Sequence, residues 1–110
     1  MAQIDEYFRY LIETKGSDLH LSEGQPPKIR VHGAVSPIPG QDVLQGESFK
    51  NLLAEICEPK AFQRYLETGD LDFAYEMDED SRFRCNYLKQ QNGLGAVFRL
   101  IPTEIASLES

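Results

Sequence analysis

Two alternating runs in the C-terminal third commit this chain to a β-hairpin. In Arg82-Phe83-Arg84-Cys85-Asn86-Tyr87, successive side chains of a strand point to opposite faces, so Phe83, Cys85 and Tyr87 share one side and Arg82, Arg84 and Asn86 the other. Ala96-Val97-Phe98-Arg99-Leu100-Ile101 alternates in the same way, and Gln90 to Gly95 between the runs is turn-rich. A hairpin centred near Gln91-Asn92 sets Arg84 opposite Arg99. Like charges directly opposite one another on a sheet are destabilising. An anion on that face would relieve the repulsion, and a nucleotide phosphate is the leading candidate.

The local charge balance points the same way. Ser81 to Thr103 carries four bases, Arg82, Arg84, Lys89 and Arg99, and no acid, in a chain of formal net charge -7. Glu67 to Asp80, just before it, carries seven acids and no base. Any single exposed arginine is ordinary, because its stem covers apolar surface. Three on one strand face in an acid-free stretch favour a binding role, and the planar guanidinium suits bidentate phosphate contact. The sequence pI near 4.7 argues against general nucleic-acid binding, which needs a broad basic surface.

At 110 residues and 41% hydrophobic composition, the chain is expected to form one domain with a small but adequate core. No apolar run approaches the ~20 residues of a membrane span. Met1 to Glu6 has no basic or hydrophobic leader pattern, so no signal peptide is expected. Cys57 and Cys85, the only cysteines, read as free thiols of a reducing compartment; nothing favours a disulfide between them.

Ile4, Tyr7, Phe8, Leu11 and Ile12 repeat at helical spacing, predicting a helix from about Gln3 to Thr14 that ends at Gly16 in a left-handed cap. Ser17 to Leu21 alternates as a strand, with Leu19 and Leu21 inward and Asp18 and His20 on the other side. Lys28 to His32 is a second strand, and Ala34 to Ile38 a third, confined to an edge by Pro37 and Pro39. After a polar loop, Ser48 is a candidate N-cap for a helix burying Phe49, Leu52, Leu53, Ile56 and Cys57. Pro59 opens a third helix that buries Phe62, Tyr65 and Leu66 and ends near Gly69. Leu71, Phe73, Tyr75 and Met77 share one face of a further strand, and Met77 to Asp80 is an acidic turn. Strand runs separated by helix runs define an α+β fold, an antiparallel sheet with helices packed on it. Thr103 to Ser110 reads as the start of a linker.

The chain has no Gly-x-x-x-x-Gly-Lys-Ser/Thr phosphate loop and no evident magnesium carboxylates, so alone it is not expected to be an enzyme. His20, His32, Cys57 and Cys85 match no zinc spacing. Cys85 is predicted inward with no base beside it.

Gly16-Ser17-Asp18-Leu19-His20-Leu21, Pro26-Pro27-Lys28-Ile29-Arg30-Val31-His32-Gly33, Arg82-Phe83-Arg84-Cys85-Asn86 and Gly95-Ala96-Val97-Phe98-Arg99-Leu100-Ile101-Pro102 carry a family resemblance. In order and spacing they resemble the N-terminal domain of PilT-like type IV pilus retraction ATPases, in the secretion ATPase superfamily. The resemblance runs from about Ile4 to Pro102 and departs at Gly69-Asp70-Leu71-Asp72 and in the loop Pro39 to Glu47. It implies a PAS-like domain over Met1 to Pro102, preceding a RecA-like ATPase domain. It also implies a cytoplasmic hexameric motor at the base of an inner-membrane pilus machine, with the membrane platform as partner. There the domain packs on the RecA-like domain of the adjacent subunit and helps assemble the ring. ATP and Mg are the cofactors of the full-length hexamer; none is expected for the isolated domain, which is expected to be a monomer without nucleic-acid partners. Arg84 and Arg99, with Arg82, are the positions that would touch nucleotide phosphates in trans, and His20 and Asp18 would lie at the interdomain contact. Arg30, on another strand, is expected to matter less. The alternative is a stand-alone PAS-like sensor or protein-interaction module. The resemblance does not choose between a retraction motor and an accessory one.

Overall fold

The structure, a computed structural model, describes residues 3–79, 81–90 and 93–101. In chain order the elements are α1 (Ile4–Glu13), β1 (Asp18–Ser22), β2 (Lys28–Val31), β3 (Ala34–Pro37), α2 (Gly46–Ala54), α3 (Pro59–Thr68), β4 (Asp70–Asp78), β5 (Ser81–Gln90) and β6 (Gly93–Ile101). The strands form one six-stranded sheet in the order β3-β2-β1-β6-β5-β4, with every neighbouring pair antiparallel. The alternating runs are adjacent strands, and their register sets Arg84 opposite Arg99, as the alternation predicts. Gln91-Asn92, the turn centre, lies outside the described residues, as do Asp80 of the acidic turn and the linker Thr103 to Ser110.

All three helices cover the same face of the sheet. Phe8 of α1 stacks on Phe83 with ring centroids 4.1 Å apart and meets Phe98 edge-on at 5.2 Å. Tyr65 of α3 lies edge-on to Tyr87 at 5.3 Å. The Tyr87 hydroxyl donates to the Leu53 carbonyl near the end of α2 at 2.7 Å, and the Tyr65 hydroxyl to the Leu88 carbonyl at 2.7 Å. Both tyrosines thus bury their rings while their polar ends keep partners. Each fully buried side chain of this size contributes roughly 1.5–3 kcal/mol. Leu19, Leu21, Ile29, Phe83, Cys85, Tyr87, Ala96 and Phe98 supply the inner face. At the edge strand β4, Leu71, Phe73, Tyr75 and Met77 alternate as predicted but are only half-buried.

Three helix boundaries differ from the sequence expectation. The left-handed residue after α1 is Lys15, with φ 62°, rather than Gly16. The Lys15 amide donates to the Ile12 carbonyl and the Gly16 amide to the Leu11 carbonyl, the paired bonds of a Schellman cap. Gly16 is needed for space: a Cβ there would lie 2.6 Å from Leu11 Cδ1 and 2.9 Å from the Arg30 carbonyl oxygen. Ser48 is not the cap of α2. That helix begins at Gly46, and the Ser48 hydroxyl turns back to donate to the Gln45 carbonyl. The helix also stops at Ala54, which leaves Ile56 and Cys57 beyond it and half-buried. Glu55 instead serves α1: its carboxylate accepts from the Ile4 amide at 3.1 Å, one of the donors a helix start leaves unpaired. α3 follows the expectation, with Pro59 in its first turn and Gly69 left-handed at its end.

Candidate anion-binding face

The face away from the helices is polar, and the register arranges it in rows. One row crosses all six strands as Val35, Arg30, Asp18, Arg99, Arg84 and Ala74. The next reads Pro37, Lys28, His20, Val97, Asn86 and Asp72. Arg82 lies on the same face, opposite Ile101 on one side and Glu76 on the other. Asp72, Arg84, Asn86, Val97 and Arg99 line an open depression in this surface.

The face is not the uncompensated positive patch that the hairpin alone suggests. Each arginine has a carboxylate of its own chain nearby. Arg82 Nε donates to Glu76 Oε2 at 2.9 Å. Arg84 Nη2 lies 3.7 Å from Asp72 Oδ2, and Arg99 Nε 3.4 Å from Asp18 Oδ1. Glu76 is the direct cross-strand partner of Arg82, whereas Asp72 is diagonal to Arg84 and must reach further. Arg84 therefore sits further from its acid than Arg82 does; Arg99, directly opposite Asp18, meets it through Nε, and both Arg84 and Arg99 have side chains 71% exposed.

Asp18 differs from the other two acids. Its side chain is only 9% exposed, against 55% for Asp72 and 58% for Glu76. A buried carboxylate must be paired, and Asp18 faces two arginines, Arg99 through Oδ1 and Arg30 through Oδ2 at 3.6 Å. Arg30, expected to stand apart on another strand, belongs to the same row. The signal for it in the sequence is weak: Arg30 alternates with Ile29 and Val31, but the neighbour of its strand cannot be read locally. His20 Nε2 is 3.9 Å from Asp18 Oδ2, too far for a hydrogen bond, and is buried without a partner among the described residues. Burial lowers the His20 pKa; Arg30 and Lys28 add to the shift and Asp18 opposes it.

The chemistry available here is oxyanion binding by planar donors. Cys85 lies on the opposite, helix-covered side, where burial pushes its thiol up to about 12. Among the described residues, no group of three or more His, Cys, Asp or Glu could hold a metal ion. No helix among them is long and apolar enough to cross a membrane.

No protein-family model matches the chain. Two curated relatives from Pseudomonas aeruginosa PAO1 do. The type IV pilus retraction ATPase PilT is 38% identical over 109 residues, 96% of this chain, and the type IV pilus ATPase PilU is 29% identical over 97% of it. The chain spans only 30% and 28% of the lengths of these two proteins. Among solved structures, the pilus retraction motor PilT with bound ADP superposes with a TM-score of 0.80 at 30% identity, over 90% of this chain and 29% of that one. The Legionella pneumophila ATPase DotB shares the fold, with a TM-score of 0.76 at 22% identity over 90% of this chain and 29% of that one. The fold is thus that of the N-terminal domain of the PilT motor, α+β with helices on one face of an antiparallel sheet. More narrowly, the chain is homologous to the N-terminal domain of the PilT-like pilus ATPases.

Proposed function

We propose that this chain is the N-terminal domain of a type IV pilus retraction motor, and that it supplies Arg84 and Arg99 in trans to the ATP site of a neighbouring subunit. The observation that carries the reading is the pair itself. Two arginines are Cα partners on the solvent face, both largely exposed, and among the described residues neither is closer than 3.4 Å to a carboxylate. Such a pair has donors to spare for a phosphate. Arg82, tied at 2.9 Å to Glu76, is the weaker contributor.

In this reading the chain joins a hexameric ring of cytoplasmic motor subunits beneath the pilus platform. The arginine face packs on the RecA-like ATPase domain of the adjacent subunit, with His20 and Asp18 beside the contact. ATP with Mg, held by that neighbouring domain, supplies the phosphoryl group. Arg84 and Arg99 orient its terminal phosphate oxygens and offset the negative charge that develops there. Alone, the chain has no phosphate loop and does not turn over nucleotide.

The reading requires the natural gene to continue past Ser110 into a phosphate-loop domain; a gene that stops there overturns it. In the longer protein, Arg84→Ala or Arg99→Ala should lower ATP turnover by ~10³–10⁵. In mixed rings, a subunit with a dead phosphate loop but intact arginines should rescue a neighbour lacking them. Rings that form without rescue would refute action in trans.

A further inference from the structure

We propose that Asp18 is a built-in competitor for the anion site, and that Arg30 governs how firmly it competes for Arg99. The proposal rests on the reading of Arg99 as a phosphate contact.

Asp18 holds its two arginines on different oxygens, Arg99 on Oδ1 at 3.4 Å and Arg30 on Oδ2 at 3.6 Å. One contact can therefore break while the other stays. For Arg99 to turn its Nε edge, the edge that faces Asp18, to a phosphate for a bidentate contact, it must leave Asp18, and Asp18 is 9% exposed. Water cannot readily replace a lost partner at such a carboxylate, and stranding it there is costly. Arg30 removes that obstacle. With its side chain 41% exposed and its Nη1 donating to the Gly33 carbonyl at 3.2 Å, it is anchored beside Asp18 from the β2–β3 turn. When Arg99 exchanges the carboxylate for a phosphate, Arg30 keeps Asp18 paired. Without Arg30, Arg99 is the remaining guanidinium at Asp18 and is retained.

Arg84 is under no such control. Its partner Asp72 is 55% exposed, so solvent takes over when Arg84 moves. The two opposed arginines therefore differ: Arg84 is free to meet an anion at once, and Arg99 follows by exchange. Arg30 is thus a positioning residue that acts on the anion through Asp18.

The test uses the 110-residue chain and inorganic tripolyphosphate, titrated at low ionic strength and followed by the arginine Nε–H resonances. Asp18→Asn should tighten binding about fivefold, the scale of one released ion pair. Arg30→Ala should weaken it about threefold, and Arg30→Lys, which keeps a charge beside Asp18, should restore most of the loss. The distinctive outcome is coupling. In the Asp18→Asn background, Arg30→Ala should cost less than about twofold, because no buried carboxylate remains to hold Arg99. Equal losses in both backgrounds would mean that Arg30 acts only as a remote charge, and the proposal fails. It also fails if Asp18→Asn leaves affinity unchanged or weaker while Arg99→Ala abolishes binding. If Arg99→Ala itself has no effect, the phosphate-contact reading falls and takes the proposal with it. Should Asp18→Asn not fold, Arg30→Ala and Arg30→Lys decide alone: a loss that lysine does not restore overturns the proposal.

Discussion

On the helix side of the β5–β6 hairpin, Phe83, Cys85, Tyr87 and Phe98 are fully buried. On the other side, Arg84 and Arg99 are 71% exposed. The two sets are alternate residues of the same two strands. The buried set is held by shape: rings at 4.1 to 5.8 Å centroid separations, with tyrosine hydroxyls on helix and strand carbonyls. The exposed set is held by charge, through contacts that lengthen from 2.9 Å at Arg82 to 3.7 Å at Arg84. Packing interactions are short-ranged and punish any loss of volume. Exposed ion pairs are weak and exchange with solvent. One hairpin therefore has a rigid side that sets geometry and an adaptable side whose charged contacts can exchange with solvent. The division breaks down at Asp18, an acid on the charged side that is 6% exposed, below Leu44 and Phe62 at the margin of the core.

The contrast is sharpest in a paired substitution. Phe98→Ala should cost ~3–5 kcal/mol, since it leaves a cavity among Phe8, Tyr87 and their neighbours. Arg84→Ala, on the other side, should change stability by no more than ~0.5 kcal/mol. Urea unfolding of both variants checks this; comparable losses would mean that the charged side also holds the fold.

The cysteines give an intermediate effect. Cys85 is fully buried and Cys57 half-buried, so in the native chain an alkylating reagent should take Cys57 well before Cys85. Burial raises the Cys85 pKa from 9.0 to about 12. The folded chain keeps a thiol proton that the unfolded chain gives up, so this contribution is intact below pH 9 and is lost as pH rises toward 12. Tyr65 and Tyr75, also pushed up to about 12, add to the loss from about pH 10. Cys85→Val should flatten the part of the decline that begins near pH 9, read by thermal melts across the alkaline range. An unchanged profile would show that the buried thiol does not contribute.

His20 should give the smallest effect, with the opposite pH sense. Its folded pKa is lowered, chiefly by burial. The unfolded chain therefore takes up a proton as pH falls through 6.5 while the folded chain resists, and stability declines on the acid side. Asp18 opposes the shift, and Arg30 and Lys28 reinforce it. His20→Gln should remove the decline. An acid limb unchanged in that variant would assign the loss to other groups.

Much of this fold was legible because the patterns are local. Helical spacing found α1 and α3, and Pro59 and Gly69 mark the limits of α3. What failed was also local, but depended on neighbours in space. Gly16 looks like a conformational cap, yet it is a glycine because Leu11 and the Arg30 carbonyl press against it. Ser48 has the chemistry of a cap, but α2 starts two residues earlier.

The candidate site divides along the same line. Alternation and the turn between the runs suffice to set Arg84 against Arg99, because a hairpin's register follows from its own strands and loop. Which strand lies beyond β6 is a different matter. β1 takes that place across some 80 residues of chain, bringing Asp18 to Arg99 with a sequence separation of 81. β2 then adds Arg30 to the row. No local pattern encodes that pairing; it follows from burying Leu19 and Leu21 beside Phe98 and Ala96 under a shared layer of helices. The sequence by itself determined the two opposed arginines. Only the tertiary structure decided that a buried carboxylate stands beside one of them, because that contact depends on packing between distant segments.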